Sequence, residues 1–232
     1  MHFERSLKRT IYEPWRDQYI DYAKLKNLLR DDGSDDGSSD DGDNWTDEDE
    51  GRFVEELVNV QLEKVASFQS STLQKLRERT ADCESKLEPV VKKTSNENGE
   101  EDETGLDDES KKTLQDVLKE LDGITEEMNE LEKYSRINYT GFLKATKKHD
   151  RRRGGSYRVR PLMQVRLAAL PFNKEDYSPL LFRLSTMYSF ARQQLEGGKD
   201  RGFSESHAVG LDSGYTTHRC MCYDYYLSWM LC

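Results

Sequence analysis

Apolar positions recur every three or four residues over most of the chain, a period that predicts helices rather than strands. Phe3, Leu7, Ile11 and Trp15 fall at intervals of four, one stripe on a helix, and Pro14 breaks that pattern. Tyr19, Tyr22, Leu25 and Leu29 follow at three- and four-residue steps in RDQYIDYAKLKNLLR, so the opening segment reads as a helical hairpin. After an acidic stretch rich in Gly and Ser, WTDED supplies a helix start, with Thr46 as N-cap and acids in the first turn, where the helix dipole favours them. From there Phe53, Leu57, Val60, Val65, Phe68, Leu73, Leu76, Cys83 and Leu87 trace one stripe. The predicted helix has about 40 residues and a length of about 60 Å, and Pro89 marks its expected end.

A second acidic linker, TSNENGEEDETGLDDES, precedes another long stripe of Leu114, Val117, Leu118, Leu121, Ile124, Met128, Leu131 and Tyr134. Two long amphipathic helices joined by a polar loop are expected to lie antiparallel. The hairpin and a later helix, SPLLFRLSTMYSFARQQLE, would cover their remaining apolar seam. The predicted fold class is therefore all-α: an N-terminal helical hairpin packed on a bundle with two long antiparallel helices, plus smaller C-terminal helices. The domain is expected to span 1–196, with flexible acidic loops at 31–46 and 93–110. A tail at 197–232 has no sustained period and is expected to be poorly ordered. The stripes read as core and contain no cofactor box, and no internal repeat is evident.

Composition agrees with this picture, since 34% apolar and 34% charged residues suit elongated, solvent-rich helices better than a thick α/β core. The net charge of −10 misleads about local surfaces. Residues 31–51 carry eleven acids and no base, whereas residues 1–30 carry seven bases and four acids. The cysteines Cys83, Cys220, Cys222 and Cys232 give no disulfide framework. His218, Cys220 and Cys222 lack the paired spacing of a structural zinc site, so no metal site is predicted. MHFERSLKRT has no apolar run of the signal-peptide kind, and nothing reaches the roughly 18 apolar residues of a membrane span. The expectation is an intracellular, soluble segment with no transmembrane helix.

The chemistry sits in one basic run. From Lys133 to Arg160 there are ten basic residues and one acid, Asp150. In GFLKATKKHDR, Lys144, Lys147, Lys148 and Arg151 share one helix face. Like charges at that spacing repel by about 0.2–0.5 kcal/mol per pair. A solvated face usually intersperses acids to avoid this, so the row points to an anionic partner with several charges. The hairpin offers a matching set: in IDYAKLKNLL, Tyr22 and Lys26 stand one turn apart, while Lys24 points elsewhere and would widen the patch. A tyrosine hydroxyl adds a neutral donor to lysine point charges, which suits phosphate. The plain alternative makes Tyr22 core and Lys26 merely exposed.

The opening MHFERSLKRTIYEPWRDQYIDYAKLKNLLR resembles the start of SPX domains, and INYTGFLKATKKHDRR resembles their second signature. WTDEDEGRFVEELVNVQLEKVASFQ and RPLMQVRLAALPF look most like fungal vacuolar transporter chaperone subunits. The resemblance covers about residues 1–196. It implies the same helical fold and a ligand, inositol hexakisphosphate or inositol pyrophosphates. By position the phosphate cluster would be Tyr22, Lys26 and Lys148, with Lys144 and Lys147 as the neighbouring lysine surface. Arg151 stands where many relatives have lysine. His2 replaces a lysine near the N-terminus, and an unperturbed histidine, pKa about 6.5, is largely neutral at pH 7. His2 and Lys24 are thus additional candidates. In the transporter chaperones a polyphosphate-polymerase-type domain and membrane spans follow the SPX domain. Neither pattern occurs here, so the chain is expected to be the sensor portion rather than an enzyme. It would act at the cytosolic face of the vacuolar membrane with other subunits of such a complex.

Two other classes compete. A general polyanion or acidic-membrane-binding helical scaffold would use the same charges. Nucleic acid is disfavoured, because no aromatic platform is interleaved with the basic run and the acidic loops would repel a long polymer. Catalysis is least favoured, since no nucleophile motif such as GxSxG appears.

Overall fold

A computed structural model of the chain describes residues 2–29, 45–96, 106–152, 158–170 and 175–196. All regular structure among these residues is helical. The hairpin comprises α1 (His2–Thr10), a 3-10 helix (Glu13–Gln18) and α2 (Tyr22–Leu28). Next, α3 (Asp47–Glu55) runs through a π-helical turn (Glu56–Leu62) into α4 (Glu63–Asn96). Then come α5 (Asp108–Arg152), α6 (Val159–Ala169) and α7 (Ser178–Glu196).

The two long helices pair antiparallel. Cross-contacts run from Lys93–Asp107 through Arg79–Glu120 and Arg79–Glu127 to Gln69–Ser135 and finally Glu50–His149, so partner numbers rise on α5 as they fall on the other helix. Their facing stripes bury Leu57, Val65, Leu76 and Cys83 against Leu114, Ile124, Leu131 and Tyr134, each essentially inaccessible to solvent. Burial at about 1.5–3 kcal/mol per large apolar side chain makes this seam the main source of stability.

Thr46 starts the first long helix as a full capping box. Its hydroxyl accepts from the Asp49 N–H at 3.2 Å, and the Asp49 carboxylate accepts from the Thr46 N–H at 3.0 Å. Such a cap contributes about 1 kcal/mol. Three details differ from the sequence reading. Val60 is 43% exposed and lies off the stripe, because the π-helical turn inserts one extra residue and carries the buried line from Leu57 to Leu62 and Val65. Pro89 does not end the helix; α4 continues to Asn96. Pro89 sits on the exposed face, and the buried Leu87 and Val90 beside it hold this end in the core. Residues 93–96 and 108–110, assigned from sequence to the second acidic loop, are helical. Most of both acidic stretches and all of 197–232, with His218, Cys220 and Cys222, lie outside the described residues.

The hairpin docks through polar groups that pair with its backbone at residues 18–21. Ile20 N–H donates to the Asn138 side-chain oxygen, and the Asn138 amide donates to Tyr134 C=O, both at 2.8 Å. Tyr134 OH donates to Gln18 C=O at 2.8 Å, and Lys64 Nζ reaches Tyr19 C=O at 2.7 Å. Gln61, buried by the π-helical turn, accepts from Asp21 N–H at 2.8 Å. Gly141 is required here, because a Cβ would stand 2.8 Å from Ile20 Cγ2. Trp15, Tyr19, Phe68 and Tyr134 close the joint with edge-on and tilted ring contacts. Burial pushes the Tyr134 phenol far up, so it remains a neutral donor.

Candidate functional site

The docked hairpin brings α2 beside the C-terminal end of α5, two segments more than 100 residues apart. Between them lies a cleft of about 350 Å³. Tyr22 and Lys26 line it from α2, and Lys144, Lys147, Lys148 and Arg151 line it from α5. These are the residues of the sequence-derived set apart from the two additional candidates. GFLKATKKHDR is the last part of α5, so the whole long helix fixes the direction of the lysine row.

Lys24 takes another position. Its Nζ pairs with Glu56 Oε2 at 2.7 Å, and it lines a separate cleft with Asp49 and Arg52. Two residues from both Tyr22 and Lys26, it falls on the opposite side of the helix. His2 begins α1, and its side chain lies outside the described residues, as does Arg153.

Three further residues line the cleft without having been singled out from sequence: Phe3, Glu4 and Arg152. Phe3 packs edge-on against Tyr22, with centroids 5.0 Å apart. Burial first, and Glu4 second, push the Tyr22 phenol up, keeping it a neutral hydrogen-bond donor. Arg152 donates to Leu29 C=O, the C-cap of α2, and so fastens the α5 end to the hairpin. Its place four residues after Lys148 was a legible signal; the Phe3 and Glu4 contacts are tertiary and left none.

His149 and Asp150, in the middle of the basic run, serve the scaffold. His149 is fully buried and stacks on Phe53 at 4.8 Å. Its Nε2 lies 2.8 Å from Glu50 and its Nδ1 lies 3.1 Å from Asp150. The Glu50 carboxylate also accepts from the Trp45 indole at 2.9 Å. Asp150 accepts from the Val159 and Arg160 N–H groups at 2.9 and 3.2 Å, capping α6 from a different helix. The two residues between Lys148 and Arg151 thus clamp α3, α5 and α6 together while their basic neighbours face the cleft. Among the described residues no group of His, Cys, Asp or Glu has the makings of a metal site.

A hairpin seated on two long antiparallel helices matches the helical fold of a solved SPX domain. The SPX domain of Chaetomium thermophilum glycerophosphodiester phosphodiesterase 1, solved in complex with inositol hexakisphosphate, superposes with a TM-score of 0.56 at 22% identity, over 83% of this chain and 99% of that one. No family model matches the chain. It is 40% identical over 194 residues to vacuolar transporter chaperone complex subunit 2 of Saccharomyces cerevisiae, covering 83% of this chain and 21% of that protein. It is 36% identical over 195 residues to the subunit of the same name in Schizosaccharomyces pombe, covering 84% and 24%. The chain is thus similar over most of its length to subunits of the vacuolar transporter chaperone complex, and it shares the helical fold of a solved SPX domain. It spans about a fifth to a quarter of the length of those two subunits.

Proposed function

We propose that this chain is a phosphate-status sensor module that binds inositol polyphosphates and pyrophosphates in the basic cleft and regulates a polyphosphate-synthesising vacuolar complex. One observation carries the reading: Tyr22 and Lys26 of α2 face the same cleft as Lys144, Lys147, Lys148 and Arg151 of α5. A ligand with phosphates pointing in several directions matches that distribution, because lysine ammonium groups demand little angular precision and the tyrosine adds a neutral donor. Bridging two elements also gives the ligand leverage on conformation, since it can favour only an arrangement that it binds better. The inositol hexakisphosphate in the related Chaetomium structure supports the ligand class. The names of the subunit relatives support the partners, other subunits of a transporter chaperone-like complex, and a vacuolar setting. In this reading the module sits at the cytosolic face of the vacuolar membrane. Among the described residues no helix is long and apolar enough to cross a membrane. A binding role fits the clamp as well, because His149 and Asp150 are engaged by Glu50 and by the start of α6.

The test is calorimetric titration of inositol hexakisphosphate into the 232-residue chain beside its Lys26→Ala and Lys148→Ala variants. Saturable binding at physiological salt, weakened at least about tenfold in each variant with helicity unchanged, is expected. Equal, weak and steeply salt-dependent binding by all three would replace this reading with a diffuse polyanion or acidic-membrane surface.

A further inference from the structure

Glu4 is an acid among the basic side chains of the cleft. Its Oε2 accepts from Lys26 Nζ at 3.1 Å, while its Oε1 lies 3.6 Å from Lys8 Nζ. Lys26 and Glu4 are only 24% and 26% exposed, so the pair is more sheltered than most surface ion pairs. The hydrogen bond from Lys26 is the main reason that the Glu4 carboxyl stays below its usual range; the charges of Lys26 and Lys8 act in the same direction. The carboxylate is therefore ionised at neutral pH.

We propose that Glu4 is a built-in competitor of the ligand: its carboxylate occupies the place of a ligand phosphate on Lys26 and sets the concentration at which the cleft fills. The inference rests on the reading of the cleft as a phosphate site. Carboxylate and phosphate oxygens accept the same charge-assisted hydrogen bonds from an ammonium group. Lys26 is the lysine that α2 presents to the cleft, so Glu4 masks the hairpin's cationic contribution to a site whose other basic side chains come from α5. A ligand with several phosphates, anchored on α5, displaces a single carboxylate; one with a lone phosphate has little to offset the exchange. Lys8, one helical turn beyond Glu4, gives the displaced carboxylate a second partner. The exchange also undoes the tie between α1 and α2, so occupancy of the cleft is coupled to how firmly α1 is held.

The experiment is titration of inositol hexakisphosphate into the full chain as wild type, Glu4→Gln, Lys26→Ala, Lys148→Ala and the Glu4→Gln/Lys26→Ala double variant. Glu4→Gln keeps the side-chain shape and is expected to bind about two- to fivefold tighter than wild type, the scale of one ion pair. In the Lys26→Ala background the gain is expected to disappear. Equal affinities of wild type and Glu4→Gln, with Lys148→Ala weakened, would overturn the competitor role and leave the cleft standing. A gain of the same size in the Lys26→Ala background would also overturn it, because the effect would then be a general field rather than an exchange. Wild-type affinity in both Lys26→Ala and Lys148→Ala would refute the cleft reading itself, and the competitor with it.

Discussion

The Ile20 N–H points into the bundle and meets the side-chain oxygen of Asn138 at 2.8 Å, across 118 positions of sequence. That bond fixes the hairpin at the point where the chain turns into α2, and so fixes the distance between Tyr22 and the lysine row. Asn138 is fully buried, so its removal leaves the Ile20 N–H without a partner in a dry site. Asn138→Ala is expected to destabilise the fold by about 1–3 kcal/mol. It should also weaken inositol hexakisphosphate binding although every cleft side chain remains. Urea denaturation and calorimetry check the two effects.

Gly141 and Ile20 make the same joint a matter of shape. Gly141→Ala would place its Cβ 2.8 Å from Ile20 Cγ2. Overpacking of that kind costs about 1–3 kcal/mol, against about 1 kcal/mol regained in helix propensity. The net loss is expected to shrink when Ile20→Ala is added, because the clashing branch is gone. A double-mutant cycle of denaturation midpoints measures the coupling.

His149→Ala should loosen α3 from α5. The substitution removes the ring stacked on Phe53 and leaves the Glu50 carboxylate without its buried partner. A loss of about 2–4 kcal/mol is expected. Amide exchange should quicken first over Asp47–Glu55, while the Leu114–Leu131 seam stays protected.

Acid should weaken one tie between α7 and α4. Arg183 grips both oxygens of Glu84 at 2.7 and 2.6 Å, and this hydrogen bonding, followed by the guanidinium charge, holds the Glu84 carboxyl below its usual 4.5. A depressed folded-state pKa means stability that is complete above the unfolded value and is lost as pH falls through the folded one. Denaturation midpoints should therefore be level above about pH 5 and decline below about pH 4.5, and Arg183→Met should flatten that decline. An unchanged acid slope in Arg183→Met would remove this pair as its cause.

Periodicity made the two long helices and α7 legible, because a buried face repeats every three to four residues and needs no knowledge of its partner. The lysine row was legible for the same reason: Lys144, Lys147, Lys148 and Arg151 share a face whatever lies opposite. Register breaks were less visible. Val60 fits a stripe by spacing alone, and only the packing of Gln61 and Leu62 shows that the helix has gained a residue there. Pro89 signals an end in an isolated helix, but here buried neighbours outweigh one missing hydrogen bond. The Glu4–Lys26 pair was out of reach, because it joins two short helices through a hairpin whose seat is made by Lys64 of α4, Gln61 of the π-helical turn and Asn138 of α5.

The extra residue in Glu56–Leu62 acts as a phase shifter. Each residue of an α-helix advances the side-chain direction by about 100°, so one residue gained or lost turns everything upstream by that angle relative to α4. Deleting a single position there would give a more regular helix and swing Glu50 and Phe53 away from His149. The local imperfection is what lets neighbouring turns of the long helix serve different partners, with Glu50 directed at the lysine-bearing end of α5 and Gln61, inside the extra turn, at the hairpin.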